Sequence, residues 1–165
     1  VGLILDLRNN PGGLVSATVE VASEFLNEGL VLYEVNGAGT RTDLEVTGSP
    51  KYPDIPLVLL VNGFSASGSE VLAGALQDHG RAEIVGSRTF GKGAVNLLRR
   101  LSDGGGLNFT FAKWYTPNGR MIEGDGLEPD FLIPSSTNLT YDPQLNKAMD
   151  IIRSNIDTGI VEQRT

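Results

Sequence analysis

Three serines crowd one short segment, Ser65-Ala66-Ser67-Gly68-Ser69-Glu70, directly after the apolar run PLVLLV at residues 56–61. A buried strand that turns into a helix through small residues lifts a hydroxyl out at a sharp bend and lets a second backbone approach it. The first amides of that helix, Gly68 N–H among them, then point at whatever reacts with the hydroxyl, and such amides suit a developing oxyanion. The same residues also read as a helix cap, because Ser67 with Glu70 three positions on is the S-x-x-E capping box before an apolar run. On spacing alone the plain cap is the commoner use, and spacing does not choose among Ser65, Ser67 and Ser69.

A serine nucleophile needs a base. Cysteine is absent and His79 is the one histidine, in Asp78-His79-Gly80-Arg81 at a predicted helix end, where a solvated C-terminal cap is the expected role. Of the four lysines, Lys92 alone stands between glycines, in Gly86-Ser87-Arg88-Thr89-Phe90-Gly91-Lys92-Gly93. That setting predicts a stem held inside the protein, where desolvation would favour the neutral amine a base requires. A Ser–Lys pair then needs no histidine. Residues 86–92 also fit G-x-x-x-x-G-K, most of a phosphate-binding loop. Position 93 is Gly, so the hydroxyl that would hold Mg²⁺ is missing, and the following residues read better as a hairpin than as the required helix.

The elements that must position these residues alternate between strand and helix. Residues 1–7 and 56–61 are nearly continuous apolar runs, as buried strands show. Residues 14–26 carry Leu14, Ala17, Val21 and Phe25 at helical spacing, and Gly29 is a stop. Residues 30–35 and 82–85 are predicted strands, 69–77 and 142–153 predicted helices, and 36–52 an exposed excursion rich in Gly, Thr and charge. A Gly-rich turn at 103–106 precedes an alternating strand, with Leu107, Phe109, Phe111 and Tyr115 on one side. Trp114 is predicted to pack in the core. Alternation of this kind places the chain in the α/β class. The 165 residues suit one domain, 1–165, and the net charge of -7 without a basic run argues against nucleic acid. Glu123, Asp125, Glu128 and Asp130 read as a solvated acidic loop rather than a metal site. Asn108-Phe109-Thr110 and Asn138-Leu139-Thr140 match glycosylation sequons.

Four segments, in register along nearly the whole chain, resemble the C-terminal processing (tail-specific) peptidases: LDLRNNPGG at 5–13, SASGSE at 65–70 with AGALQD at 73–78, GSRTFGKGAV at 86–95, and YTPNGR at 115–120 with GLEPD at 126–130. DPQL at 142–145 fits as well. The resemblance implies a crotonase-like or ClpP-like ββα spiral. It places the nucleophile on Ser67, the middle serine, and the general base on Lys92, 25 residues later. It implies an oxyanion hole from Gly13, or Gly12, together with Gly68. Two positions depart from the family pattern. Asn96 stands where a Gln commonly orients the lysine amine, one methylene shorter, and Gly68 replaces the usual Ala.

The implied reaction is hydrolysis of a peptide bond near the carboxyl terminus of a protein, through an acyl-enzyme and without a cofactor. The implied partners are protein or peptide substrates with a free C-terminus, and a homo-oligomer is allowed. The implied place is extracytoplasmic: periplasm, cell envelope or plastid lumen. The chain reads as a piece of a longer protein, and the PDZ domain that the family carries ahead of this core is not among these residues. The rival reading from another class is a catalytically weak or inactive core that serves as a binding or scaffold module.

Overall fold

The computed structural model describes residues 1–138 and 140–158; Leu139 of the second sequon lies outside them. Two four-stranded sheets form the frame. The first is parallel, in the order β1 (Leu3–Asp6), β4 (Leu57–Val61), β5 (Glu83–Gly86), β8 (Phe131–Leu132). All five residues of β4 are buried, which is why its sequence is unbroken Leu and Val rather than alternating. Helices α1 (Val15–Ser23) and α2 (Gly68–Asp78) pack against one another, and α3 (Pro143–Asp157) packs on β4 and β5. Val71, Leu72, Ala75 and Leu76 of α2 meet Leu59, Val61 and Ile84 in the main core. Val58, Leu60 and Val85 point the other way, to Ala148, Ile151 and Ile152 of α3. Each such buried aliphatic side chain contributes roughly 1.5–3 kcal/mol by leaving water. This is the expected α/β class.

The second sheet is antiparallel, in the order β3 (Arg41–Glu45), β2 (Leu30–Asn36), β7 (Gly106–Tyr115), β6 (Ala94–Arg100). Strand β3 falls inside the stretch expected to be an exposed excursion. Its RTDLE sequence has no apolar run, because it is an edge strand with four of five residues exposed. Strands β6 and β7 form the expected hairpin, with a register shift between Val95 and Asn96. The core-facing residues of β7 are Ala112 and Trp114, so Trp114 is buried as expected. Beyond the register shift the hairpin runs out into solvent. Leu97 pairs with Phe109 and Arg99 with Leu107, so Leu97, Leu107 and Phe109 share one face. All three are exposed, as is Phe111.

Tight contacts fix the relation between elements. Asp78, at the end of α2, accepts the Asn118 N–H at 2.8 Å and pairs with Arg120, which ties the 115–120 turn to the helix. Arg8, just after β1, bonds Asp6, Asp142 and Gln144, linking β1 to the start of α3. Gly86 at the end of β5 has φ +145, and a Cβ there would stand 1.9 Å from the Val61 carbonyl oxygen. No side chain fits this position without moving β4 or β5. Gly86→Ala should therefore cost at least about 3 kcal/mol, roughly 10 °C in Tm. Gly37→Ala, where a Cβ meets nothing within 4 Å, should shift Tm by no more than about 2 °C. Equal thermal midpoints for the two variants would contradict the β4–β5 contact.

Candidate functional site

The end of β4 runs through residues 62–67 into α2, and the three serines receive different tasks. Ser65 is fully buried; its hydroxyl donates to the Leu7 carbonyl at 2.8 Å and accepts the Asn62 N–H at 3.0 Å. Ser69 donates to the Asn10 carbonyl at 3.1 Å. Both hydroxyls hold the β1 end and the 9–13 loop against the start of α2. The Ser67 hydroxyl donates to no group among the described residues. Ser67 sits at the N-cap of α2 with φ 56 and ψ −121. Only Asn9 and Ser67 among the described non-glycine residues have positive φ, and a non-glycine residue held there costs of order 1–3 kcal/mol. Both lie in the two loops that meet here. Sequence reading left the choice among the serines to family resemblance; hydrogen bonding separates them on physical grounds.

The Gly12-Gly13 loop packs directly on the serine. A Cβ at Gly12, where φ is +90, would stand 2.5 Å from the Ala66 carbonyl, 2.6 Å from Gly68 N and 2.9 Å from the Ser67 Cβ. A Cβ at Gly68 would stand 3.2 Å from Gly13 N. Gly12, Gly13, Ser67 and Gly68, which only the family resemblance had associated, thus lie side by side. The loop is held by a reciprocal pair, Asn9 N–H to Asn62 Oδ1 and Asn62 Nδ2–H to Asn9 Oδ1, each 3.0 Å. The Ala66 N–H adds a bond to the Asn10 carbonyl at 3.1 Å. The departure at position 68 has a local cause: the space an Ala methyl would fill is taken by the Thr18 hydroxyl, 2.6 Å from that Cβ. Beside these glycines a recess of about 270 Å³ opens between α1 and α2, with Leu5, Leu7, Leu14, Ala17, Val21 and Leu72 in its walls. A second cavity of about 250 Å³, with Phe25, His79 and Arg81 in its lining, lies at the far end of α2.

Glu70 joins this segment to the lysine loop. It is fully buried and has no cationic partner among the described residues. Its Oε2 accepts the Ser67 N–H at 2.9 Å and the Lys92 N–H at 2.8 Å, so the two amides stand no more than about 6 Å apart. Its Oε1 accepts the Thr89 hydroxyl and the Gly91 N–H, each at 2.6 Å. The lysine loop is held from its other side as well. Glu123 Oε2 accepts the Gly93 N–H at 2.7 Å, the Gly91 carbonyl accepts the Gly124 N–H at 2.9 Å, and the Thr89 hydroxyl accepts the Leu127 N–H at 2.7 Å. Cβ atoms at Gly91 or Gly93 would crowd the backbone of residues 122–126.

Several expectations are corrected here. Lys92 is exposed rather than held inside, and its Nζ has no partner among the described residues; the flanking glycines serve backbone contact, not burial of the stem. Asn96 does not bond Lys92: it is exposed, and its Oδ1 accepts the Thr110 hydroxyl across the hairpin at 3.0 Å. The acidic loop is only partly solvated, since Glu123 caps Gly93 and Asp130 accepts the Ile84 N–H at 2.7 Å. His79 caps the C-terminus of α2, with Nε2 2.7 Å from the Leu30 carbonyl. The 11 residues of α2 put it roughly 17 Å from Ser67, so the two do not form a pair. Glu70 was legible only as a cap; its bonds to Thr89, Gly91 and Lys92 carry no local spacing signal.

Known proteins match this arrangement. The family model for peptidase family S41 matches residues 1–133. A carboxyl-terminal-processing protease of Picosynechococcus is 44% identical over 153 residues, covering 87% of this chain and 37% of the relative. One from Synechocystis is 44% identical over 161 residues, covering 94% of this chain and 38% of the relative. The chain thus spans little more than a third of the curated relatives it matches. A solved photosystem II D1 C-terminal processing protease superposes with a TM-score of 0.77 at 42% identity, covering 84% of this chain and 37% of that one. The tricorn protease, at 23% identity and a TM-score of 0.62, shares the fold over 93% of this chain and 15% of its own. With a family match over most of its length and the serine, glycine and lysine segments packed against one another, the chain belongs to peptidase family S41.

Proposed function

We propose that this chain is the catalytic core of a serine endopeptidase that cuts proteins near their carboxyl terminus, with Ser67 as nucleophile and Lys92 as general base. The observation that carries the reading is Ser67 itself: strained in backbone, with a hydroxyl that caps α2 as an acceptor but donates to no group among the described residues, and packed against the Gly12-Gly13 loop and the start of α2. Ser67 Oγ adds to the scissile carbonyl carbon as its proton passes to the neutral Lys92 amine. The oxyanion of the tetrahedral intermediate accepts from Gly68 N–H and Gly13 N–H, donors fixed before the charge develops; the Gly12 N–H, the alternative donor the resemblance allowed, is taken by Asn10 Oδ1 at 2.9 Å. The C–N bond breaks, Lys92 returns the proton to the leaving amine, and an acyl-enzyme remains. Water, deprotonated by the same amine, then releases the new carboxyl end and restores Ser67. Amides alone suffice for the oxyanion, and the scheme calls on no cofactor.

The aliphatic recess beside Gly13 and Gly68 suits the side chain on the acyl side of the cut, of modest aliphatic size. Relatives named as carboxyl-terminal-processing proteases support protein substrates; an extracytoplasmic place of action follows from the family resemblance of the sequence. Capture of a free carboxyl end belongs, in this reading, to segments outside these 165 residues. The exposure of Lys92 favours a second reading, a core that is weakly active or inactive and works as a binding module. As a base the amine must be neutral, and the described residues supply no cover for it.

A fluorophosphonate probe separates the two. In the full-length protein the probe should label Ser67 and should not label the Ser67→Ala variant. Ser67→Ala should lose at least ~10³-fold in turnover, and Ser67→Gly should match that loss while melting higher than Ser67→Ala, since glycine relieves the backbone strain. Ser65→Ala and Ser69→Ala should retain part of the activity. Lys92→Arg should be inactive, as a guanidinium keeps its proton. An active Lys92→Arg protein or an unlabelled wild type would sink the dyad.

Asn96→Ala should reduce kcat by far less than Ser67→Ala, because the Asn96 amide oxygen is spent on Thr110. A loss as large as that of Ser67→Ala would give Asn96 a direct part in orienting the amine.

Gly68→Ala should cost about 1 kcal/mol of stability, because its methyl displaces the Thr18 hydroxyl. Adding Thr18→Ala should recover most of it, with a coupling of about 1 kcal/mol in a double-mutant cycle. Strict additivity would show that the two side chains do not compete for one space.

A further inference from the structure

We infer that Glu70 is a positioning residue for the proposed Ser67–Lys92 reaction, the group that sets the distance between the nucleophile loop and the base loop; this rests on that reading of the site. A cap glutamate needs one bond, to the N–H of the N-cap residue, and does its work at the surface. Glu70 makes that bond to Ser67 and three more, to Thr89, Gly91 and Lys92, residues 19 to 22 positions later in the chain. It is 0% exposed. A carboxylate taken out of water without a cation is unfavourable unless donors replace its hydration. Four donors fill its four acceptor sites here, two on each oxygen. The burial is therefore tolerated only when both loops are in place; one backbone bond, Phe90 N–H to the Ser65 carbonyl at 3.0 Å, joins the same two loops, and Glu70 adds its four at the level of Ser67 and Lys92.

The same carboxylate oxygen takes the amides of the two proposed catalytic residues. Shifting Oε2 therefore shifts Ser67 and Lys92 relative to one another. Thr89 locks the other oxygen: its hydroxyl donates to Oε1 and accepts the Leu127 N–H, so the base loop is pinned between Glu70 and residues 122–127. The Lys92 stem is exposed, so the backbone anchor from Glu70, rather than packing of the stem, fixes where the amine starts from. Neither a Gln nor an Asp can substitute. A Gln turns two acceptor sites into N–H groups facing N–H or O–H donors, and an Asp, one methylene shorter, cannot span both loops.

The test is fluorophosphonate labelling and peptide hydrolysis by the full-length protein, well below each variant's Tm. Glu70→Gln and Thr89→Val should each lower the labelling rate constant about 100-fold, the loss expected for catalytic groups displaced by about 1 Å. kcat should fall in parallel, KM should move less than about threefold, and Thr89→Ser, which keeps the hydroxyl, should restore labelling to within about threefold of wild type. A purely structural role predicts a lower Tm with unchanged labelling of the folded fraction, and that result overturns the inference. Should Glu70→Gln fail to fold, Thr89→Val decides: labelling at the wild-type rate overturns it. If the wild type labels and Ser67→Ala does not, while both Glu70→Gln and Thr89→Val label normally, the dyad stands and the positioning role falls. A wild type that does not label removes the dyad, and the inference with it.

Discussion

A carboxylate sealed in the interior with no cationic partner among the described residues is the constraint around which this site is arranged. Glu70 trades water for four protein donors, and those donors come from two chain segments that β4–β5 pairing and the Phe90 N–H to Ser65 carbonyl bond also bring side by side. The strain at Ser67 follows from the same demand. To give its N–H to Glu70 and still begin α2, the serine takes up a positive φ that its side chain disfavours. The glycines then complete the arrangement by close approach: Gly12 over Ser67, Gly91 and Gly93 against residues 122–126. Ionic, conformational and steric terms each depend on the others being satisfied.

The fold frame was legible where burial writes itself into composition. The unbroken apolar run of β4, the helical periodicity of α2 and the turn before β7 all announce their elements, because each has a face or a whole strand out of water. Strand β3 was not legible, since an exposed edge strand of sequence RTDLE is held by backbone bonds to β2 and not by its side chains. Strand β8, two residues long, is too short to carry a period. Helix α1 ends at Ser23, earlier than periodicity suggested, and the buried Phe25 and Leu26 belong to the turn that follows.

At the site, residue type proved a better guide than environment. The packing of Gly12 and Gly13 against Ser67 and Gly68 was suggested only by resemblance, since spacing neither chose among the serines nor linked them to the 12–13 loop. What the sequence could not convey is which atoms of the glycine-flanked lysine are held. Glycines at 91 and 93 make room for backbone on both sides, and that reads identically to making room for a buried stem. Glu70 shows the converse limit. Its local partner, Ser67, is three residues away and visible as a cap, while its partners in the lysine loop are set by tertiary packing alone.

The β6–β7 hairpin carries a colloidal consequence. Its exposed face presents Leu97, Leu107 and Phe109 with only Arg99 between them, while the molecule as a whole bears a net charge of -7. Two copies approaching through this face gain by excluding water from hydrocarbon and lose by bringing like charges together. The first contribution hardly depends on ionic strength, whereas the second is screened within about 10 Å at 0.1 M salt. Added salt therefore weakens the repulsion and leaves the attraction, so these 165 residues disperse best in dilute buffer and associate as salt rises.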